Sequence, residues 1–383
     1  MFSTRNRSVV LGLKAGEWVE VRSRAEILAT LDERGRLGNL PFMPEMLPYC
    51  GRKLRVSARA DKTCDPAHTP WSIRRMTDSV HLETVRCDGA DHGGCEAGCL
   101  IFWKEAWLKR AEQSTVSQEA LRRAPAVTPA GNGFCTVESI RAASQATDPE
   151  GAARYSCQAT ELRNFTSYMR SWDPRQYIRD LRSGNLSTGL ARKSRKGSAL
   201  EMALAIIRLL YSLTVGMARG GYPLITGRQE KTSIETLDLQ PGELVQVRSK
   251  DEIEATLNKR NRNRGLLFDT EMVPYCGGIF RVLRRVQRII DENTGMMLYM
   301  KHPCIILDGV ACRSDFHRLC PRAIYHYWRE NWLKRASEEM AADPRRGLTG
   351  ADQASSCAGG PGEPRHCSEY AATAGLAAKQ LHP

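Results

Sequence analysis

Residues 16–23 read GEWVEVRS and residues 242–249 read GELVQVRS, and both alternate apolar with polar positions. A period of two predicts a strand with one buried face. Downstream of the first, AEILATLDERG spaces Ile27, Leu28 and Leu31 as a helix face, with Gly35 placed to end the helix. LRVSARAD (54–61) and FRVLRRVQRIID (280–291) alternate again, and HLETV (81–85) and CIILDGV (304–310) predict one more strand each. Trp103, Trp107 and Arg110 fall at i, i+4 and i+7, as do Trp328, Trp332 and Arg335. This spacing predicts a closing amphipathic helix at 98–113 and again at 321–338, with Pro321 at its first position.

These patterns recur because the chain repeats itself. Residues 16–51 align with 242–277 without a gap at an offset of 226, with 21 identities in 36 positions. The match resumes at an offset of 225, where LETVRCDGADHGGC (82–95) lies on LDGVACRSDFHRLC (307–320) and FWKEAWLKRA (102–111) on YWRENWLKRA (327–336). A repeat of this kind reads as one structural unit used twice. The expected fold class is α+β, with two tandem copies of a small β-rich module at 13–113 and 239–340. A mobile linker is expected over 114–150, a basic and partly helical middle over 151–238, and a disordered tail over 341–383. The segment 198–218 is apolar with only Glu201 and Arg208 charged, and reads as a helix packing the modules together or lying in a membrane surface.

The opening Gly-Glu-x-Val-x-Val is similar to the first strand of SH3-like barrels, which implies such a barrel for each module. The repeat as a whole, with its Pro-Tyr-Cys-Gly and closing Trp-Leu-Lys-Arg, resembles bacterial proteins that carry the same duplicated Cys/His module. That resemblance implies no particular chemistry.

Thirteen cysteines, an odd number, without a recognisable secretory signal favour metal ligation over a disulfide framework. The short N-terminal apolar run and the absence of a long apolar stretch predict a soluble, cytoplasmic protein with no transmembrane span. Both modules keep a Cys-x4-His-x2-Cys step and a distant cysteine. Cys50, Cys87, His92 and Cys95 in the first match Cys276, Cys312, His317 and Cys320 in the second. Such a set suits a tetrahedral zinc ion, one per module and two per chain. An iron–sulfur cluster is the alternative for cysteine-rich ligation, and buried or reactive thiols without metal the other. Gly89, Gly93 and Gly94 allow the first loop to turn tightly, whereas the second, CRSDFHRLC, has no glycine. The Cys-x4-His step also resembles part of a retroviral-type zinc knuckle, whose remaining ligand spacing is not present here.

The formal charge is +13, from 56 basic and 43 acidic residues. Its clusters are Arg192, Lys193, Arg195 and Lys196; Lys259, Arg260, Arg262 and Arg264; and Arg281, Arg284, Arg285 and Arg288. Basic clusters attract phosphate backbones. No nucleophile elbow, phosphate-binding loop, dinucleotide fingerprint or zinc-protease motif occurs. The expected function is a non-enzymatic, zinc-stabilised binding or scaffold protein. Two alternatives stand beside it: nucleic-acid binding through the middle segment and second module, and a zinc or thiol enzyme with Glu45 and Glu271 as general bases. Glu105 and Glu330 read as packing residues or helix partners of Lys109 and Lys334. The partner is expected to be a protein or nucleic acid, with peripheral membrane contact through 191–218.

Overall fold

The computed structural model describes residues 10–67, 72–111, 135–170, 173, 175–185 and 225–342. The expected helix at 198–218, the basic run at 192–196, and most of the expected linker and tail lie outside the described residues. The architecture is mixed α+β, with many short strands and few helices.

The first segment runs β1 (Trp18–Val21), α1 (Arg24–Leu28), β2 (Arg36–Leu37), β3 (Leu40–Pro41), a 3-10 turn (Pro44–Tyr49), β4 (Lys53–Arg59), β5 (Lys62–Cys64), β6 (Ile73–Arg75), β7 (Ser79–Leu82), β8 (Trp103–Lys104), a second 3-10 turn (Glu105–Trp107) and β9 (Leu108–Arg110). The middle supplies α2 (Val137–Ser144), β10 (Gln145–Thr147), β11 (Ala153–Tyr155), α3 (Leu162–Phe165), β12 (Ser167–Met169) and α4 (Arg175–Arg182). The last segment runs β13 (Leu244–Val247), α5 (Lys250–Glu254), β14 (Arg262–Asn263), β15 (Leu266–Leu267), a 3-10 turn (Thr270–Tyr275), β16 (Ile279–Ile290), β17 (Met297–Leu307), a 3-10 turn (Glu330–Trp332), β18 (Leu333–Arg335) and α6 (Glu338–Ala342).

Strand order is β8-β7-β4-β1-β9 in the first main sheet and β17-β16-β13-β18 in the last. Val19 faces Leu54 and Arg110; at the matching positions Val245 faces Phe280 and Arg335. The equivalent helices α1 and α5 are each started by a complete capping box, Ser23 with Glu26 and Ser249 with Glu252. The first helix stops at Leu28, short of the expected end at Gly35. Gly35, at φ +70°, instead bonds its amide to Asp32 in the tight connection leading to β2.

The expected closing helices do not form. Residues 103–110 are strand, 3-10 turn and strand, as are the equivalent residues 330–335 with their preceding bridge from Ile305 to Trp328. The reason lies in the carboxylate between the tryptophans. Glu105 is fully buried and accepts from the amides of Leu11 (2.7 Å), Gly12 (3.0 Å) and Leu13 (2.8 Å), and from Arg59 (2.6 Å). Glu330 repeats this with Leu237, Asp238 and Leu239 at 2.7, 3.2 and 3.1 Å and with Arg285 at 2.8 Å. One helix face cannot bury both tryptophans and also carry the glutamate inward. The turn buries all three: Trp103, Trp107, Trp328 and Trp332 have no exposed surface. Phe42 packs edge-on to Trp107 at 5.2 Å and Phe268 to Trp332 at 5.4 Å. Lys109 and Lys334 pair with Glu20 and Glu252 rather than with the buried glutamates.

Residues 135–150, expected to be part of the mobile linker, carry α2 and β10, with Ile140 buried against the first core. Further along the middle segment, buried Gln158 ties Phe102 (2.8 Å) to Pro41 (3.0 Å), and Asp180 pairs with buried Lys62 at 2.5 Å. The first and last segments touch directly. Glu96 accepts from the amides of Gln287 (2.6 Å) and Arg288 (3.1 Å), and Arg86 lies 3.8 Å over the ring of Tyr325 while bonding Ala323.

Candidate metal centres

Two groups of ligand-type side chains converge, one in each segment: Glu45, Cys87 and His92, and Glu271, Cys312 and His317. Within each group the potential ligand atoms lie within 4.8 Å of one another. The glutamates come from the 3-10 turns Pro44–Tyr49 and Thr270–Tyr275, which follow the β2–β3 and β14–β15 hairpins. The cysteine and histidine come from the loops that follow β7 and β17.

The first of these loops needs left-handed backbone at three places. Gly89, Gly93 and Gly94 have φ of +73°, +63° and +72°; a Cβ at Gly89 would lie 2.1 Å from the carbonyl oxygen of Cys95. Their counterparts Ser314, Arg318 and Leu319 adopt φ of +57°, +56° and +57°. The second loop therefore keeps the turn without glycine, at a cost of about 1–2 kcal/mol per residue for left-handed backbone. A device that repeats despite this cost points to a geometry both segments use.

In the first group His92 Nδ1 lies 2.5 Å from Glu45 Oε1, and its Nε2 lies 3.2 Å from the Ser156 carbonyl. The other oxygen of Glu45 is buried without a hydrogen-bond partner, which suits a cation placed there. Burial lowers the His92 pKa, but the hydrogen bond and charge of Glu45 outweigh it and leave it raised. The Cys87 thiol is pushed well up, first by burial and then by Glu45. In the second group Cys312 Sγ lies 3.3 Å from His317 Nδ1, which is 4.0 Å from Glu271 Oε1. Burial holds the Glu271 carboxyl up to about 8, lowers His317 and raises Cys312. A metal ion would reverse each of these penalties by favouring carboxylate, thiolate and neutral imidazole. One oxygen, one nitrogen and one sulfur are a set that zinc accepts, with a fourth position left over.

Of the eight expected ligands, Cys87, His92, Cys312 and His317 come together; the other four stand outside the triads. Cys50 and Cys276 end the 3-10 turns, their thiols raised by burial, Cys276 to about 12. Cys95 and Cys320 sit at the junction between the segments. Cys95 Sγ accepts from the amide of Ile290 at 3.4 Å, and Cys320 Sγ from the amide of Cys64 at 3.0 Å. The carboxylate ligands were legible only as matched residues: Glu45 and Glu271 stand five positions before matched cysteines, and sequence reasoning gave them a base's role.

The arginines of β16 are engaged within the protein. Arg284 bonds the carbonyl of Glu96, Arg285 pairs with Glu330 and Asp238, Arg288 bonds the carbonyl of Gly94, and Arg281 pairs with Glu338. Lys259, Arg260, Arg262 and Arg264 are exposed in the β14 loop. Among the described residues no helix is long and apolar enough to cross a membrane.

No known family, curated protein or solved structure matches this chain.

Proposed function

We propose that this chain is a non-enzymatic binding or scaffold protein built from two copies of one SH3-like module, each stabilised by a zinc ion. The reading rests on one observation above the others: Glu45–Cys87–His92 and Glu271–Cys312–His317 occupy equivalent positions of two segments that otherwise differ at many surface residues. The common strand order and register support a shared module, and the opening strand suggests its barrel kind. Metal would stabilise the folded chain because the ligands converge only there. Thermal unfolding with and without a strong chelator tests this: a large downward shift in Tm on chelation supports it, and an unchanged Tm contradicts it.

A metalloenzyme is the second reading, favoured by the three-ligand triads, since catalytic zinc keeps a position for water. Glu45 also lines an open groove of about 510 Å³ with Arg24, Asp91 and Arg141. Nucleic-acid binding would draw, among the described residues, on the 259–264 loop, because the arginines of β16 are engaged internally.

A further inference from the structure

The two triads present their histidines in the same way. Nδ1 faces another ligand atom in both: His92 Nδ1 lies 2.5 Å from Glu45 Oε1, and His317 Nδ1 lies 3.3 Å from Cys312 Sγ. Nε2 faces an oxygen outside the triad. For His92 that oxygen is the carbonyl of Ser156 at 3.2 Å; for His317 it is Oδ2 of Asp269 at 3.6 Å. A carbonyl only accepts, so Nε2 of His92 carries a hydrogen. This is the orientation of a histidine that binds metal through Nδ1 and gives its other N–H to an outer oxygen.

The outer oxygens differ between the centres. Ser156 belongs to the middle segment and offers a neutral carbonyl. Asp269 stands at the start of the turn that carries Glu271 and offers a carboxylate. Its Oδ1 accepts from the amide of Glu271 at 2.9 Å, while Oδ2 faces His317. One side chain thus fixes both the glutamate's turn and the histidine's ring. The equivalent position in the first segment is Met43, an uncharged thioether.

The ligand atoms are also spaced differently. Zinc bonds of about 2.0–2.3 Å place a tetrahedral nitrogen roughly 3.3–3.6 Å from an oxygen or sulfur ligand. In the second centre His317 Nδ1 stands 3.3 Å from Cys312 Sγ and 4.0 Å from Glu271 Oε1, close to that range on either side. In the first centre the imidazole and the carboxylate have closed on each other at 2.5 Å. Both atoms of that contact are ligand atoms, so an ion must break it to enter.

We propose that Asp269 is a positioning residue that makes the second centre the tighter of the two metal sites, by holding His317 for coordination through Nδ1. A carboxylate behind an imidazole orients the ring and makes it a more basic ligand, and losing it costs about 10–100-fold in metal affinity. The first centre has a backbone carbonyl in that place and depends on the middle segment to supply it.

The assignment rests on the metal-binding reading, and the test keeps the two apart. The Kd for zinc is measured in the full chain by competition with a chromophoric chelator. Cys87→Ser isolates the second centre and Cys312→Ser the first; the second should bind at least about 10-fold more tightly. Asp269→Asn keeps an oxygen for the Glu271 amide and removes the charge. Combined with Cys87→Ser it should weaken zinc by about 10–100-fold, and combined with Cys312→Ser it should leave the first centre unchanged. In zinc-loaded wild type, long-range proton–nitrogen NMR spectra should show His317 with a hydrogen on Nε2 and metal on Nδ1, a readout independent of how any variant folds. A second centre no tighter than the first, an unchanged Kd in Asp269→Asn, or zinc on Nε2 of His317 overturns the assignment. Zinc binding that is indifferent to Cys312→Ser overturns instead the triad reading beneath it.

Discussion

The amide of Cys64 donates to the sulfur of Cys320 at 3.0 Å, joining the first segment to the last. Position 64 corresponds to 290, and position 320 to 95, so the bond from Ile290 to Cys95 is the same contact with the segments exchanged. The two segments therefore hold each other reciprocally, as in an internal homodimer. Burial would raise the Cys320 thiol, but the Cys64 thiol and amide together with Arg322 bring it down to about 7. Cys320→Ala leaves the buried amide of Cys64 without an acceptor. We expect a loss of about 1–3 kcal/mol in denaturant unfolding. An unaltered midpoint would show that this contact contributes nothing to docking.

Glu105 should be among the most sensitive positions in the first segment. Its carboxylate satisfies three amides and Arg59, and the residue is fully buried. Removing it in Glu105→Ala leaves three backbone donors without their acceptor and takes from Arg59 one of its two carboxylate partners, the other being Asp61, at about 3–5 kcal/mol. Glu330→Ala should behave alike. A cost below about 1 kcal/mol at either position, measured by chemical unfolding, would contradict the clamp.

Stability should fall on mild acidification through His81. Its ring is wholly buried and its Nδ1 lies 2.8 Å from the carbonyl of Ile101, so Nδ1 carries the proton and donates. Burial lowers its pKa from the usual 6.5 to about 4. Above pH 6.5 the ring is neutral in both folded and unfolded chains, and its contribution is fully present. As pH drops from 6.5 toward 4 the unfolded chain takes up the proton first, and stability is lost, by roughly 3 kcal/mol in all. In His81→Gln the slope of stability against pH in that window should be shallower. An identical slope would place the acid sensitivity elsewhere.

The strands, the duplication and four of the six triad residues were legible in the sequence because alternation and local spacing are local signals. The closing helices were misread for a physical reason. Trp103 and Trp107 have helical spacing, yet what decides the backbone is Glu105, whose partners Leu11, Gly12 and Leu13 lie more than 90 positions away. The pairing of Cys64 with Cys320 spans 256 positions and leaves no pattern in either neighbourhood. Glu45 and Glu271 were visible as matched carboxylates, but their approach to Cys87 and Cys312 follows from two turns folding onto one loop. The glycine-free second loop illustrates the converse. Its sequence does not require the same geometry, and the folded chain holds Ser314, Arg318 and Leu319 in the left-handed backbone all the same.

The central claim is that each triad holds a metal ion, and the second triad gives the cleanest measurement. Zinc-loaded wild type, Cys312→Ser and Cys304→Ser are compared by native mass spectrometry at equal protein concentration. Cys304 is a buried thiol outside the triad, and Cys312 belongs to it. The account predicts that Cys312→Ser carries one zinc ion fewer than wild type and Cys304→Ser the same number. Equal zinc content in all three proteins would contradict it.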